Sequence, residues 1–283
     1  MSSSGVLEQL DCSDLRQLKL ILQNNLLNYE IACRTVQNYI VWLDKEPDLS
    51  EEVNIFSLNK NWESDGTFII LDSIHLYIHA YSFYDNFDSL KQSLLLLDWS
   101  HSYTVCMLST KFKEIILDTF HDLGIQIALF TDDFIYHLPK EVAMKIQIDV
   151  PTGFRLAALE SHHAAQIDRN WEHRTTGTEA FIRRLIAYNA TIGLLIESTD
   201  QLIGWCLQSC CGEMALLHVD PEFRRQGFGS LLIKACARRL ATEGQPVYAN
   251  ITSSNEPSQK LFLSVGFLPR ERVHWVVNEA KKS

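Results

Sequence analysis

The chain has 283 residues, of which 46% are hydrophobic, a size and composition typical of a globular protein with two domains of ordinary size. Its formal net charge of −10 argues against nucleic acid as the main partner, because proteins that bind nucleic acid usually present a basic surface. Residues 1–150 carry 22 acidic and 10 basic residues, whereas residues 151–283 carry 13 acidic and 15 basic. Only the second half is therefore suited to a polyanionic ligand.

The amino terminus lacks the basic and apolar segments of a secretory signal, and the conspicuous apolar run Leu94 to Leu97 is too short to cross a bilayer. We therefore expect an intracellular protein, cytoplasmic or mitochondrial, without a membrane span. The seven cysteines show neither the spacing of a zinc site nor that of a disulfide framework. This pattern predicts reduced thiols and no metal site.

The first half opens with a leucine-rich pattern over residues 7–27 that predicts a long amphipathic helix. The segments TFIIL and HLYIHAYS then predict strands. A later helical pattern over residues 108–124 ends at Gly124, a residue type that commonly ends helices. This half carries no catalytic motif, so its aromatic and leucine side chains are expected to form a core.

A domain boundary is predicted near residues 140–152, where Pro151 and Gly153 punctuate the chain. We expect a smaller α/β domain over residues 1–145 and a second domain over residues 152–283.

The second half has the pattern of an α+β domain with a mostly antiparallel mixed sheet flanked by helices. The predicted elements are a strand at 154–159, helices at 160–171 and 178–188, a hairpin of strands at 191–197 and 201–209, a strand at 214–219, a helix at 228–242, a strand at 246–251, a helix at 258–264 and a final strand region at 266–277.

The segment DPEFRRQGFGSLLIKACARRL, residues 220–240, places two glycines at the start of a helix. Backbone N–H groups in such a turn, together with the positive end of the helix dipole, form a site for an anion, most often phosphate. The alternative is a basic helix start with a simple glycine turn. The residues predicted to offer backbone N–H groups are Arg225, Gln226, Gly227, Phe228 and Gly229.

The order of strand, R-x-x-G-x-G from Arg224 to Gly229, helix, strand and N-x-x-S-x-x-L-F-x-x-x-G-F from Asn255 to Phe267 resembles the GCN5-related N-acetyltransferase (GNAT) superfamily. The segments IDRNWEHR, GEM, DPEFRRQG and PVYANI are similar in order and wording to the glycine N-acyltransferase branch. The resemblance covers roughly residues 152–283. It implies that the first domain is itself a degenerate copy of the GNAT fold.

The resemblance implies that the ligand is coenzyme A, carried as acetyl-CoA or a larger acyl-CoA. The backbone groups of Leu217 and Val219 would pair with the pantetheine arm, and the N–H near Leu217 would face the thioester oxygen as an oxyanion donor. Arg224 or Arg225 can add a charge-assisted bond to the phosphates. Asn255 and Ser258 match contacts to the distal part of coenzyme A, although an asparagine at a helix start is also an ordinary N-cap. Phe228 would contribute only its backbone.

Glu213 is the candidate general base. Only a neutral amine attacks a thioester, and an alkylamine with a pKa of about 10.4 is mostly protonated at pH 7. Period-2 alternation predicts that residues 213, 215 and 217 share a face, so the Glu213 carboxylate would face the same cleft as Leu217. The position also resembles the glutamate base of glycine N-acyltransferases. The alternative is an ordinary carboxylate at a strand end.

Two further residues qualify this interpretation. Many members of the superfamily carry a tyrosine that protonates the leaving thiolate, whereas this chain has Phe262, which cannot donate a proton. By alternation, the side chain of His218 is expected to point away from those of Leu217 and Val219, and we interpret it as structural.

The resemblance implies an acyl-CoA-dependent N-acyltransferase that acts on a small amine such as glycine or another amino acid. A protein amine acetyltransferase is an alternative enzyme, and a non-catalytic acyl-CoA-binding protein is an alternative of another class. The catalytic residues predicted are Glu213 and Leu217, and the predicted partners are acyl-CoA and a small amine rather than nucleic acid.

Overall fold

The structure of the protein is a computed structural model that describes residues 5–24, 26–83, 87–175 and 177–281. The chain forms two compact units. The first unit contains Met1–Asp133 and Arg272–Ser283, and the second contains Phe134–Glu271.

The first unit is a mixed sheet with helices. Its strands lie in the order β1-β2-β3-β4-β5-β13, with β6 also paired to β13, and only the β4–β5 pair is parallel among the pairings described. Its strands are β1 (Leu7–Gln9), β2 (Val53–Leu58), β3 (Phe68–Asp72), β4 (Tyr77–Tyr81), β5 (Thr104–Ser109) and β6 (Ile127–Phe130), together with the end of β13 (Leu268–Asn278). Its helices are α1 (Cys12–Gln23), α2 (Leu26–Lys45), α3 (Trp62–Asp65), α4 (Asp88–Leu95) and α5 (Lys113–Leu123).

The predicted long helix over residues 7–27 is wrong at its start. Leu7–Gln9 form a strand paired with β2, and helix α1 begins only after Asp11. The Asp11 side chain accepts hydrogen bonds from the backbone N–H groups of Ser13 and Asp14, which is the arrangement that starts a helix. Asn25 of the predicted helix lies outside the described residues.

The first unit contains a buried polar network. Asp72 Oδ2 lies 2.7 Å from His75 Nδ1 and accepts a hydrogen bond of 3.1 Å from the Tyr39 hydroxyl. Burial raises the pKa of Asp72, but the hydrogen bonds and charge of His75 outweigh this effect and lower it. Tyr39 also lies 3.3 Å from His79 Nε2, and burial lowers the pKa of His79 to about 4. These groups are satisfied inside the core, where His79 is neutral at physiological pH.

The second unit is also a mixed, mostly antiparallel sheet flanked by helices, which confirms the predicted α+β fold class. Its strand order is β7-β12-β11-β10-β9-β8, and the β11–β12 pair is parallel. Its strands are β7 (Asp133–Leu138), β8 (Phe154–Ala157), β9 (Thr191–Ile196), β10 (Leu202–Gln208), β11 (Met214–Val219) and β12 (Val247–Thr252). Its helices are α6 (Lys140–Ala143), α7 (Ala164–Arg169), α8 (Thr178–Tyr188), α9 (Phe228–Thr242) and α10 (Glu256–Val265).

Helix α9 anchors the core of this unit. Leu232, Cys236 and Leu240 recur every four residues and are fully buried, so one stripe of the helix faces the sheet. Met214 and the partly buried Leu217 and Val219 belong to the same cluster. Strand β11 therefore turns one set of side chains toward α9 and the other set away from it.

The compact units divide between residues 133 and 134, whereas the sequence predicts a boundary near 140–152. Residues 134–151 join the second unit because Tyr136, Leu138 and Ala143 pack into its hydrophobic core. The last strand, β13, begins in the second unit and ends in the first, where Val273 and Val276 pair with β5. The predicted domain bounds, 1–145 and 152–283, stay a prediction.

Among the residues that the structure describes, no helix combines the length and the apolar character needed to cross a bilayer.

Candidate active site beside strand β11

The start of helix α9 has the geometry of an anion site. Gly227 occupies the N-cap position with φ +86°, a conformation that favours glycine, and no side chain caps the helix. The N–H of Leu231 donates to the Gly227 carbonyl at 3.0 Å, which is the first bond of the helix. The amides that precede Leu231 in the first turn have no carbonyl to reach within the helix, so they are available to a ligand.

A cleft of about 300 Å³ lies beside this helix start. Gly227, Ser230 and Lys234 line it from the helix side, and Gln147, Asp149 and Pro151 line it from the segment that precedes β8. A Cβ atom added at Gly227 would meet no atom within 4 Å, so the backbone there borders open space. Lys234 adds a cation that the sequence analysis missed, because it lies seven residues beyond Gly227 and outside the motif.

Three of the predicted loop residues have exposed side chains. Arg225 and Gln226 are exposed, and Arg225 has a left-handed backbone with φ +65°. Arg224 is also exposed, and its Nε donates to the Val219 carbonyl at 2.9 Å, which holds the arginine at the end of β11.

Phe228 and Gly229 turn away from the exposed part of the loop. Phe228 is buried in the core of the second unit, so only its backbone can serve a ligand. At Gly229 an added Cβ would lie 3.1 Å from Leu261 Cδ2, which shows that this glycine allows close packing of α9 against α10.

Strand β11 contains a β-bulge. Leu207 pairs with Ala215 and Trp205 pairs with His218, so the register skips Leu216 and Leu217. Leu216 has φ +51°, an uncommon conformation for a leucine. The bulge shifts the side-chain alternation by one residue.

Because of this shift, the predicted common face of residues 213, 215 and 217 is wrong. Ala215 and His218 share one face of the strand because their partners Leu207 and Trp205 are two residues apart. Leu217 belongs to the opposite face with Met214, so Glu213, Ala215 and Leu217 do not share a face as the sequence predicted. The His218 side chain does point away from those of Leu217 and Val219, as expected.

Strands β11 and β12 separate soon after they meet. Their parallel pairing is in register only at Met214 and Ala249. Residues 215–219 are half-buried, whereas every residue of the neighbouring strand β10 is buried. Leu217 lies in the bulge, where it has no one-to-one partner in the described register with β10, and the described register with β12 does not extend beyond Met214.

Glu213 lies at the start of this strand and is 2% exposed. Burial raises the pKa of its carboxyl, and a hydrogen bond from the Ser209 side chain partly opposes this effect. The Glu213 Oε2 atom has no hydrogen-bond partner among the described residues. A carboxylate with a raised pKa and an unused oxygen is suited to accept a proton near neutral pH.

His218, on β11, forms a pair with Asp220, which directly follows the strand. His218 Nε2 lies 3.2 Å from Asp220 Oδ1. The imidazole stacks on Trp205 with ring centroids 4.5 Å apart and an interplanar angle of 15°. Burial lowers the pKa of His218, against the opposing effect of Asp220.

The residues predicted to reach the distal part of coenzyme A lie at the start of α10. Asn255 Oδ1 accepts a hydrogen bond of 3.1 Å from the Ser258 N–H, so Asn255 is the N-cap of this helix. Ser258 is half-buried and Asn255 is exposed. Their contact with a ligand stays a prediction.

Phe262 is also on α10, but its ring is 4% exposed and packs edge-on against Phe267 at 5.1 Å between centroids. The ring is part of the core of the second unit.

Comparison with known proteins identifies relatives of this region. Residues 191–276 match a family model described as FR47-like protein. The glycine N-acyltransferase of Bos taurus is 32% identical over 123 residues, which cover 42% of this chain and 40% of that enzyme. The chain thus aligns with about 40% of the length of this curated relative.

Solved structures are similar over a larger part of the chain. A Drosophila protein has a TM-score of 0.86 at 20% identity, covering 96% of this chain and 98% of that protein. A tandem GNAT protein from the clavulanic acid biosynthesis pathway has a TM-score of 0.53 at 14% identity, covering 82% of this chain and 84% of that protein. At these identities the likeness concerns the fold. Together with the family match at residues 191–276 and the similarity to glycine N-acyltransferases, it confirms the predicted resemblance to the GNAT superfamily and its glycine N-acyltransferase branch.

Proposed function

We propose that the protein is an acyl-CoA-dependent N-acyltransferase that transfers an acetyl or larger acyl group to a small amine, such as glycine or another amino acid. The observation that carries this proposal is strand β11, which separates from β12 after one paired position and leads to a helix start with available amides. Such a strand can hold an extended thioester while the helix start binds its phosphates.

Coenzyme A would be held by the loop of residues 224–229. The amides of Gly227 and the first turn of α9 would donate to the pyrophosphate, and Arg225 and Lys234 would supply positive charge. The fit is supported by the left-handed backbone at Gly227 and by the open space next to it. Asn255 and Ser258 would contact the distal part of the ligand.

The acyl group would lie beside the bulge, with its thioester oxygen facing the Leu217 N–H. Glu213 would take one proton from the incoming ammonium, because its buried carboxyl has a raised pKa. The neutral amine would then attack the thioester carbon, so that a C–N bond forms and the C–S bond breaks. Negative charge that develops on the oxygen would be stabilised by the Leu217 amide.

The acceptor class is inferred from the relatives, since the proteins aligned with this chain include glycine N-acyltransferases. One observation favours a second candidate, a non-catalytic acyl-CoA-binding protein. Phe262 is packed in the core, so this position offers no acid for the leaving thiolate.

A thiol-release assay tests the proposal. Wild-type protein should release free thiol from at least one acyl-CoA when glycine, other amino acids, polyamines and peptides are offered in turn. Glu213→Gln should lower turnover by about 10²- to 10⁴-fold at pH 7 while the affinity for coenzyme A, measured by calorimetry, stays near that of wild type. The loss should shrink as the pH rises, because the free amine then needs no base.

Three outcomes would contradict parts of this proposal. Binding of coenzyme A without thiol release would favour the non-catalytic protein. Activity restricted to peptides would favour a protein acetyltransferase. Wild-type turnover in Glu213→Gln at pH 7 would remove the assignment of the general base.

A further inference from the structure

The bulge places His218 on the same face of β11 as Ala215. His218 directly follows Leu217, the proposed oxyanion donor. Alternation places Glu213 on this face as well, since the next residue, Met214, packs into the core on the other side. By this alternation His218, and Glu213 directly before the strand, are directed to the side of the sheet opposite helix α9.

The pair formed by His218 and Asp220 determines which imidazole nitrogen can accept a proton. With Asp220 at 3.2 Å from Nε2, the neutral ring carries its proton on Nε2 and donates it to the carboxylate. This leaves a lone pair on Nδ1, for which the described residues provide no hydrogen-bond partner. Stacking on Trp205 holds the plane of the ring. A histidine oriented by a carboxylate in this way is suited to accept and return a proton.

We propose that His218 is a catalytic acid–base residue that moves the second proton of the amine from nitrogen to sulfur during acyl transfer. This inference rests on the proposed function. His218 would thereby supply the proton donor that a phenylalanine at position 262 cannot provide.

Each proton of the incoming ammonium has a defined path in this reaction. Glu213 takes the first proton from the ammonium and passes it to solvent. Attack by the neutral amine gives a tetrahedral intermediate that still carries two protons on nitrogen. Nδ1 of His218 accepts one of them, and Asp220 stabilises the imidazolium. The C–S bond then breaks with its electron pair on sulfur, and the imidazolium returns the proton to the thiolate, giving amide, thiol and neutral His218.

The charged groups around His218 allow this cycle. Asp220 favours the imidazolium, whereas Arg224, at the end of the same strand, disfavours it. Trp205, from strand β10, packs on the ring and carries no charge. Partial burial also favours the neutral ring and lowers its pKa, so His218 rests in the form that accepts a proton.

Two substitutions of His218 test the role. His218→Phe keeps an aromatic ring to stack on Trp205 but removes both nitrogens, and His218→Gln keeps polarity but removes the imidazole. We expect both to lower turnover by about 100-fold, with coenzyme A affinity unchanged by calorimetry. His162→Gln, an exposed histidine of the same unit, is the control and should behave like wild type.

The pH dependence provides a second readout that a packing role would not change. The NMR signals of the His218 ring in the intact protein should titrate at the same pH as the limb of the turnover profile that His218→Phe removes. Asp220→Asn should shift both the titration and that limb to lower pH, because the carboxylate no longer stabilises the imidazolium.

The outcomes separate this inference from the proposed function. Turnover in His218→Phe within about threefold of wild type, while Glu213→Gln remains impaired, would overturn the role of His218 and leave the acyltransferase intact. A His218 titration that matches no limb of the profile would also overturn it. Absence of thiol release by the wild-type protein would instead remove the proposed function itself.

Discussion

Each unit contains a parallel strand pair among the pairings that the structure describes, and the two pairs differ in the burial of the residues beside them. Strands β4 and β5 of the first unit are in register at two positions, and strands β11 and β12 of the second unit at one. In the first unit the residues beyond these positions, 79–81 and 106–108, are all buried. In the second unit, residues 215–219 are half-buried. The residues next to a similar parallel pairing are thus buried in one unit and partly exposed to solvent in the other.

The helix that follows each strand reinforces the difference. In the first unit, helix α4 has eight residues and Phe87 at its N-cap. In the second, helix α9 has fifteen residues and Gly227 at its N-cap with φ +86°. The ring of Phe87 packs against Phe112 with centroids 5.3 Å apart, whereas Gly227 borders open space at a helix start suited to an anion. In the proposed function, coenzyme A would therefore use the open strand and the bare helix start together.

The largest effect is expected from Asp72→Ala in the first unit. The substitution leaves His75 and Tyr39 without their buried acceptor, so the free energy of unfolding should fall by about 3–5 kcal/mol. Urea denaturation followed by circular dichroism would measure it. Asp44→Ala removes an exposed pair with Arg16 and should change stability by less than about 1 kcal/mol.

Coenzyme A affinity should be nearly the same in wild type and in folded Asp72→Ala if the network serves only the core. A large loss of affinity at a denaturant concentration where the variant is folded would contradict the contrast drawn between the units.

Gly227→Val tests the helix start of the second unit. Valine is strained at φ +86° and would project from the loop beside the open amides, so coenzyme A affinity should fall by about 100-fold. Gly124→Val is a matched control in the first unit, because Gly124 also has positive φ and no atom within 4 Å of an added Cβ. Both variants should lose about 1–3 kcal/mol of stability. Equal affinities in the two folded variants would remove the phosphate site.

The sequence predicted this helix start well because its signals are local. Glycine at the N-cap, the amphipathic stripe of α9 and the hairpin β9–β10 all follow from short patterns. The bulge at Leu216 could not be predicted, because a leucine has no preference for positive φ and the conformation arises from pairing with β10. The error in the face of Glu213 follows from this one residue.

The start of the first unit shows the same limit of prediction from local sequence patterns. Leu7–Gln9 match a helical pattern, yet they form a strand because residues 56–58 provide a distant partner. The N-cap at Asp11, with Asp14 three residues later, was a local signal that could have marked the true start.

Glu213→Gln should change the pH dependence of stability. Burial raises the pKa of Glu213 in the folded state above its ordinary value of 4.5, so ionisation costs stability as the pH rises through that range. Below pH 4.5 the group is protonated in both states and the cost is absent. The variant has no such group, so its stability relative to wild type should increase as the pH rises above 4.5.

Thermal unfolding of both proteins between pH 4 and pH 8 would measure this effect. Glu222→Gln, on an exposed residue of the same unit, is the control and should show no comparable trend. A constant difference between Glu213→Gln and wild type across the range would contradict the raised pKa.

The smallest effect is expected from Phe262→Tyr, which restores the residue that many GNAT members carry. The ring lies in the core against Phe267, so the new hydroxyl would be buried and the stability should fall by about 1 kcal/mol. If His218 already returns the proton to sulfur, a second donor adds little, and turnover should change by less than about twofold. Thiol-release kinetics at saturating acyl-CoA would measure it. A several-fold rise in turnover would show that the leaving thiolate lacks a proton donor in the wild-type protein, and it would contradict the role proposed for His218.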